Sequence, residues 1–170
     1  MAPLEVTYSV PKTVLINDVS EADRDALFPL LDECFTGVYL WHARRTLTRV
    51  KHVRAARCRD EPVGLAMLSM LSPRIGYLYY IAVRRPFRGQ GVGGLLLDDG
   101  IRFVRAHGAT EILSCARREN VESTRLLRSR GLEPTRFRDA AHARGFRSVA
   151  ALWRRMVVAP GEVVFRRAFE

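Results

Sequence analysis

Apolar and polar positions run along this chain in two rhythms, short alternating stretches and helical spacing, and turn-forming residues mark most of the changeovers. Residues 1–12 show neither rhythm and read as a loosely held lead-in. Thr13 to Ile16 predicts a first strand, which Asn17 to Ser20 breaks. Ser20 and Asp23 have the spacing of a helix-starting pair, and Leu27, Leu30, Leu31, Cys34 and Phe35 follow at helical intervals. One helix is therefore predicted up to about Phe35. Gly37 interrupts it, and a second helix rich in large side chains begins at Val38. Val50–Arg57 and Gly64–Leu71 predict two strands around a turn at Arg59–Pro62. Pro73-Arg74 introduces a third strand, whose apolar, aromatic run from Tyr77 to Val83 is closed by Pro86. Three strands joined by short polar turns form an antiparallel meander.

Beyond that meander the rhythm turns helical. Gly89, Gly91, Gly93 and Gly94 make a tight turn, and Leu95-Leu96-Leu97 with Phe103-Val104 extend a helix to a stop at His107-Gly108. Glu111 to Ala116 predicts a strand, reached by a right-handed crossover and so parallel to the earlier one. Asn120 is a good N-cap for a helix over Val121–Arg130, which ends at Gly131. Leu132–Phe137 reads as a further strand. Residues 139–155 have helical spacing, and Val157-Val158 and Val163-Val164-Phe165 flank a Pro160-Gly161 turn.

Composition narrows the classes. A chain of 170 residues suits one domain, taken here as 13–170. No apolar run approaches a membrane span, and Met1–Glu5 lacks the basic start and apolar core of a signal peptide, so no membrane partner is expected. Cys34, Cys58 and Cys115 are odd in number, far apart and without metal-ligand spacing, which predicts free thiols, a cytoplasmic location and no metal. The net charge is +10, and every basic residue except Lys12 and Lys51 is arginine. Such a surface suits an anionic ligand. The arginines are spread without an aromatic-interleaved basic run, so nucleic acid is not the expected partner.

The glycine turn carries the sharpest signal. A strand, a glycine-rich turn and a helix start bring free N–H groups and a positive dipole end together, an arrangement that attracts phosphate. No Gly-Lys-Ser/Thr ending follows, which argues against a nucleoside triphosphate loop. Gly89-x-Gly91-x-x-Gly94 matches the dinucleotide fingerprint, but the next strand ends Ser114-Cys115-Ala116 without the required acid. The better fit is Arg88-x-x-Gly91-x-Gly93 after a strand ending Ile81-x-Val83, which resembles motif A of the GNAT superfamily of acyl-CoA-dependent N-acyltransferases. Asn120-x-x-Ser123-x-x-Leu126-Leu127-x-x-x-Gly131-Leu132 resembles the family's motif B.

The resemblance implies an α/β (α+β) fold with a mixed, mostly antiparallel central sheet flanked by helices, in the order β-α-α-β-β-β-α-β-α-β, with 139–155 a helical insertion before the last strand. It implies acetyl-CoA as co-substrate and direct attack by a primary amine, on a small molecule or a peptide, in a ternary complex. Ile81, Ala82 and Val83 would line the pantetheine arm; Arg88, Gly89, Gln90, Gly91, Val92, Gly93 and Gly94 would hold the diphosphate; Asn120 would contact the pantetheine. The Val83 N–H would stabilise the oxyanion. Two family positions differ: the motif B tyrosine is Leu127, and the strand glutamate of some members is Tyr77. Tyr77, Tyr79 and Tyr80 are therefore the candidate catalytic side chains, and Tyr39, Trp41 and His42 fall in the acceptor-lining segment. A coenzyme-binding module without catalysis and a basic nucleic-acid-associated protein are the alternatives, and the C-terminal segment offers a homodimer contact.

Overall fold

The computed structural model describes residues 13–136, Arg138, Met156, Val158 and 161–170. The expected lead-in over 1–12 and helix over 139–155 lie outside these residues. Seven strands make one sheet: β1 (Leu15–Asp18), β2 (His52–Cys58), β3 (Glu61–Ser72), β4 (Ile75–Val83), β5 (Glu111–Arg117), β6 (Glu133–Thr135) and β7 (Glu162–Ala168). Their spatial order is β1-β2-β3-β4-β5-β7-β6. Only β4 and β5 pair in parallel among the described strands. Four α-helices lie wholly within the described residues and cover the sheet: α1 (Phe28–Cys34), α2 (Gly37–Leu47), α3 (Val92–Ala106) and α4 (Val121–Ser129). This is the mixed, mostly antiparallel α/β architecture expected.

β3 shows why both faces are covered. Val63, Ala66 and Leu68 join a core with Leu96, Leu97, Ile101 and Val104 of α3 and Leu127 of α4. Leu65 and Met67 alternate with Ala66 and Leu68 and pack with Leu30 and Leu31 of α1 and Ala43 and Leu47 of α2; the register shift at Ala56/Arg57 puts Val63 on the α3 side. A third cluster joins Ile75 and Tyr77 of β4, Leu113 of β5, Met156 and Val164 of β7. No helix among the described residues is long and apolar enough to cross a membrane.

Two expectations change on inspection. The single helix expected to Phe35 is split into a 3-10 stretch, Glu21–Leu27, and α1. Pro29 is the cause: it has no N–H for a continuous helix and sits instead at the start of α1, where none is needed. Ser20 begins the 3-10 stretch, but its hydroxyl donates to Asp23 Oδ2 at 2.6 Å and caps no amide. The turn expected over Arg59–Pro62 is tighter. Only Arg59 and Asp60 lie outside the strands, at φ 48° and 70°, the geometry of a two-residue hairpin. Pro62 falls within β3 beside the register shift at Ala56/Arg57, where a missing donor is tolerated.

Several arginines are held by internal partners. Arg24 is buried and donates to the carbonyls of Leu47, Val50 and Lys51, closing the end of α2. Arg54 pairs with Asp99, Arg130 with Asp98 and Arg166 with Glu111.

Candidate active site

β4 and β5 pair only over Ile75–Leu78 and Glu111–Ser114, and beyond that the parallel ladder stops. The β3 ladder supplies a reason. Met67 faces Tyr80 and Leu68 faces Leu78, so Tyr79 is one residue too many. Such a bulge bends and twists its strand. Past the bulge, Arg84 N donates to Val63 O at 2.9 Å, and Gly64 stands opposite Val83. Bonded and non-bonded pairs alternate in an antiparallel ladder. Val83 and Ile81 therefore sit on non-bonded pairs and turn their N–H and C=O groups away from β3, toward the split.

The chain leaves β4 through a 3-10 turn, Arg85–Phe87, and enters the glycine turn. Glu33 holds this exit, accepting from Arg85 N at 3.0 Å. Gly89 and Gly91 adopt φ 71° and 87°, which glycine reaches without strain, and a Cβ at either would meet nothing within 4 Å. Among the described residues, the amides of 89–94 donate to no main-chain carbonyl; Leu95 is the first to do so, to Gly91 O at 3.0 Å. The side chains beside them turn back: Arg88 Nε donates to Val83 O at 2.9 Å and Gln90 Nε2 to Pro86 O at 2.6 Å. Gly94 makes room for the Arg130 guanidinium, which pairs with Asp98 at 3.0 Å.

The split opens into a cleft of about 390 Å3. Cys34, Phe35 and Tyr39 line one side, Tyr77 to Ile81 and Ser114 to Arg117 its floor, and Asn120, Ser123, Leu126 and Leu127 the other side, with Met156 and Glu162 completing it. Glu162 is the one carboxylate among these residues. Its Oε1 accepts from Tyr39 Oη at 3.0 Å, and Tyr39 Oη accepts from Arg117 Nε at 3.0 Å. β5 and β7 place Arg117 directly opposite Glu162.

Burial dominates the acid–base character of the walls. It raises Tyr77 well above its ordinary value, with Cys115 next in effect. It also raises Tyr80, assisted by Glu162 and Tyr39, and Tyr39, assisted by Glu162. The Cys115 thiol is pushed up to about 12, chiefly by burial. Burial lifts Cys34 too, against the pull of Arg88 beside it. Among the described residues, the cleft thus sets protonated phenols and thiols around one carboxylate and the Arg117 guanidinium.

The expected site residues divide accordingly. Tyr77, Tyr79, Tyr80, Ile81, Asn120 and Tyr39 meet in the cleft. Tyr77 is 2% exposed and its hydroxyl donates to Met156 O at 3.0 Å, which ties the sheet to the C-terminal segment. Asn120 Oδ1 accepts from Ser123 N at 3.0 Å and caps α4 while lining the cleft. Leu127, where the family pattern has tyrosine, is buried at the wall and brings no proton donor. Ala82 is buried in the core under α1 and α2. Trp41 and His42 meet edge to face outside the cleft lining, with the Arg45 guanidinium over the exposed Trp41 ring. Glu162, Arg117 and Cys34 were not anticipated. The acid heads an apolar strand after a Pro-Gly pair, a weak signal whose meaning depends on pairing with a distant strand. Among the described residues, no group of three or more His, Cys, Asp or Glu is placed to hold a metal ion.

Comparison with known proteins bears on this geometry. Residues 16–132 match the model of the acetyltransferase (GNAT) family. No curated protein matches the chain significantly. Among solved structures, a GNAT family acetyltransferase from Elizabethkingia anophelis with acetyl-CoA bound is 16% identical, with a TM-score of 0.69 over 94% of this chain and 100% of that one. The ribosomal-protein-S18-alanine N-acetyltransferase from Escherichia coli is 16% identical, with a TM-score of 0.67 over 93% of this chain and 95% of that one. The PaiA N-acetyltransferase from Thermoplasma acidophilum, in complex with coenzyme A, is 10% identical, with a TM-score of 0.68 over 92% and 99%.

Proposed function

The chain belongs to the acetyltransferase (GNAT) family, and from that premise we propose that it transfers the acetyl group of acetyl-CoA to a primary amine by direct attack in a ternary complex. The observation that carries the reading is the run of unclaimed amides at 89–94 beside an open strand edge at Ile81 and Val83. Main-chain donors at a helix start favour a diphosphate whatever the side chains are. Gly89 and Gly91 keep the approach clear. The pantetheine arm would run along the free edge of β4, with Asn120 beside it. Arg88, now on the Val83 carbonyl, would exchange that contact for the diphosphate.

Catalysis would rest first on positioning, worth several kcal/mol when reactants are held in line. The Val83 N–H, aimed into the split, would meet the developing oxyanion. Tyr80 would serve as a neutral hydrogen-bond donor toward the sulfur, since burial holds its phenol protonated, with Tyr79 of the bulge beside it in the cleft lining. The amine must shed protons: with a pKa near 10, only about one molecule in a thousand is neutral at pH 7. Small-molecule and peptide acceptors both suit a cleft of this size.

Acetyl-CoA is expected to raise the melting temperature, and thiol release from it is expected with at least one member of a panel of primary amines. Absence of any shift at millimolar acetyl-CoA would defeat the proposal. A shift with no thiol release from any amine would favour a coenzyme-binding module that has lost catalysis.

A further inference from the structure

We infer that Glu162 docks the acceptor's ammonium and takes a proton from it, with Tyr39 and Arg117 as positioning residues. The inference rests on the acetyl-transfer reading above and names the base that reading needs. Family positions supply none here: Leu127 is apolar and the Tyr77 hydroxyl is given to Met156 O. Among the described residues lining the cleft, Glu162 is the one carboxylate. It reaches there from β7, opposite Arg117 of β5. Its direction is set by Tyr39 Oη at 3.0 Å, and Tyr39 is itself held by Arg117 Nε at 3.0 Å with the guanidinium 5.1 Å over its ring. Three elements, α2, β5 and β7, thus converge to aim one carboxylate into a cleft whose other described side chains are apolar or uncharged apart from the Arg117 guanidinium that holds Tyr39.

The surrounding groups sharpen the class of acceptor. The charge of Glu162 is felt by Tyr77 and Tyr80 of β4, Cys115 of β5 and Tyr39 of α2, Arg117 stands opposite it in the ladder, and Tyr79 and Cys34 share the cleft lining. A single negative charge among aromatic rings suits one ammonium carried on an apolar or aromatic stem. Arg117 and the chain's net charge of +10 disfavour a polyamine.

The step balances as follows. The ammonium gives one proton to the Glu162 carboxylate, which later releases it to water. The freed lone pair forms the C–N bond at the thioester carbon, the C–S bond breaks, and its electron pair leaves on sulfur. The second proton shed by nitrogen ends on that thiolate. Products are the acetamide, the free thiol and one proton in solution.

Two probe amines separate this role from a structural one: phenethylamine, ionised at pH 7, and hydroxylamine, largely neutral there. With phenethylamine, Glu162→Gln is expected to lower kcat/KM on the order of 100-fold at pH 7, the deficit narrowing as pH approaches the amine's own pKa. Hydroxylamine turnover should stay within about threefold, since no proton need be removed before attack. Tyr39→Phe should cost phenethylamine about fivefold, one positioning hydrogen bond. Acetyl-CoA should stabilise the variants as it stabilises the unaltered protein, which shows that they fold. Equal losses with both amines, a loss independent of pH, no loss, or no phenethylamine turnover by the unaltered protein would each overturn the assignment. If acetyl-CoA stabilises the unaltered protein, such a result removes Glu162 alone; if it does not, the coenzyme reading falls and this inference with it.

Discussion

The two halves of the candidate site are made of different material. The half proposed to take the diphosphate is main chain, contiguous from β4 through the start of α3, and held by one glutamate at its exit and two glycines at positive φ. The reactive half is side chain, drawn from α2, β4, β5, α4 and β7, and its one carboxylate depends on a relay of two hydrogen bonds across three elements. A backbone site tolerates change in its side chains and fails when its torsions change. The side-chain site behaves in the opposite way, so substitutions can tell the two apart.

Gly91→Val should do the most damage on the backbone side. A β-branched residue at φ 87° carries strain of about 1–3 kcal/mol, and its Cβ projects where the diphosphate would approach. Acetyl-CoA affinity measured by calorimetry is expected to fall on the order of 50-fold, while Tyr39 and Glu162 keep their contact. An unchanged affinity would break the comparison at its stronger half.

Alkaline pH should act on the cleft and spare the turn. Tyr77 and Cys115 keep their protons more firmly folded than unfolded, Cys115 up to about 12 against an ordinary 9.0. The stability this gives is complete below about pH 9 and is lost as pH rises toward 12. Melting temperature should therefore decline from pH 9 upward, and Cys115→Ala should soften that decline. A flat profile to pH 11 would contradict the burial of these groups.

Arg88→Ala sharpens the contrast by doing little. If amides hold the diphosphate, loss of this exposed side chain should weaken acetyl-CoA about fivefold. A loss as large as that of Gly91→Val would shift the weight to the arginine. Asn120→Ala, of similar size but read in stability, removes the cap on Ser123 N and should cost about 1 kcal/mol in denaturant unfolding.

The same division explains what the sequence made legible. Strand, glycine turn and helix lie consecutively, so their pattern could be read along the chain, as could the cap at Asn120 and the stop at Gly131. The split in the sheet was not, because the bulge at Tyr79 exists only relative to β3. The setting of Glu162 is hidden in the sequence for a related reason: Arg117 is brought opposite it by the pairing of β5 with β7, and Tyr39 reaches it from α2. Trp41 and His42 share a segment with Tyr39, yet only Tyr39 lines the cleft, because successive residues of a helix point in different directions.

The central claim is that main-chain amides at the start of α3 receive the coenzyme's diphosphate. Titrating 15N-labelled protein with coenzyme A while following the main-chain amide resonances tests it most directly. The account predicts that the amides of residues 89–94, with Val83, move first and furthest. Saturable shifts elsewhere with these amides unmoved, or no shifts at all, would contradict it.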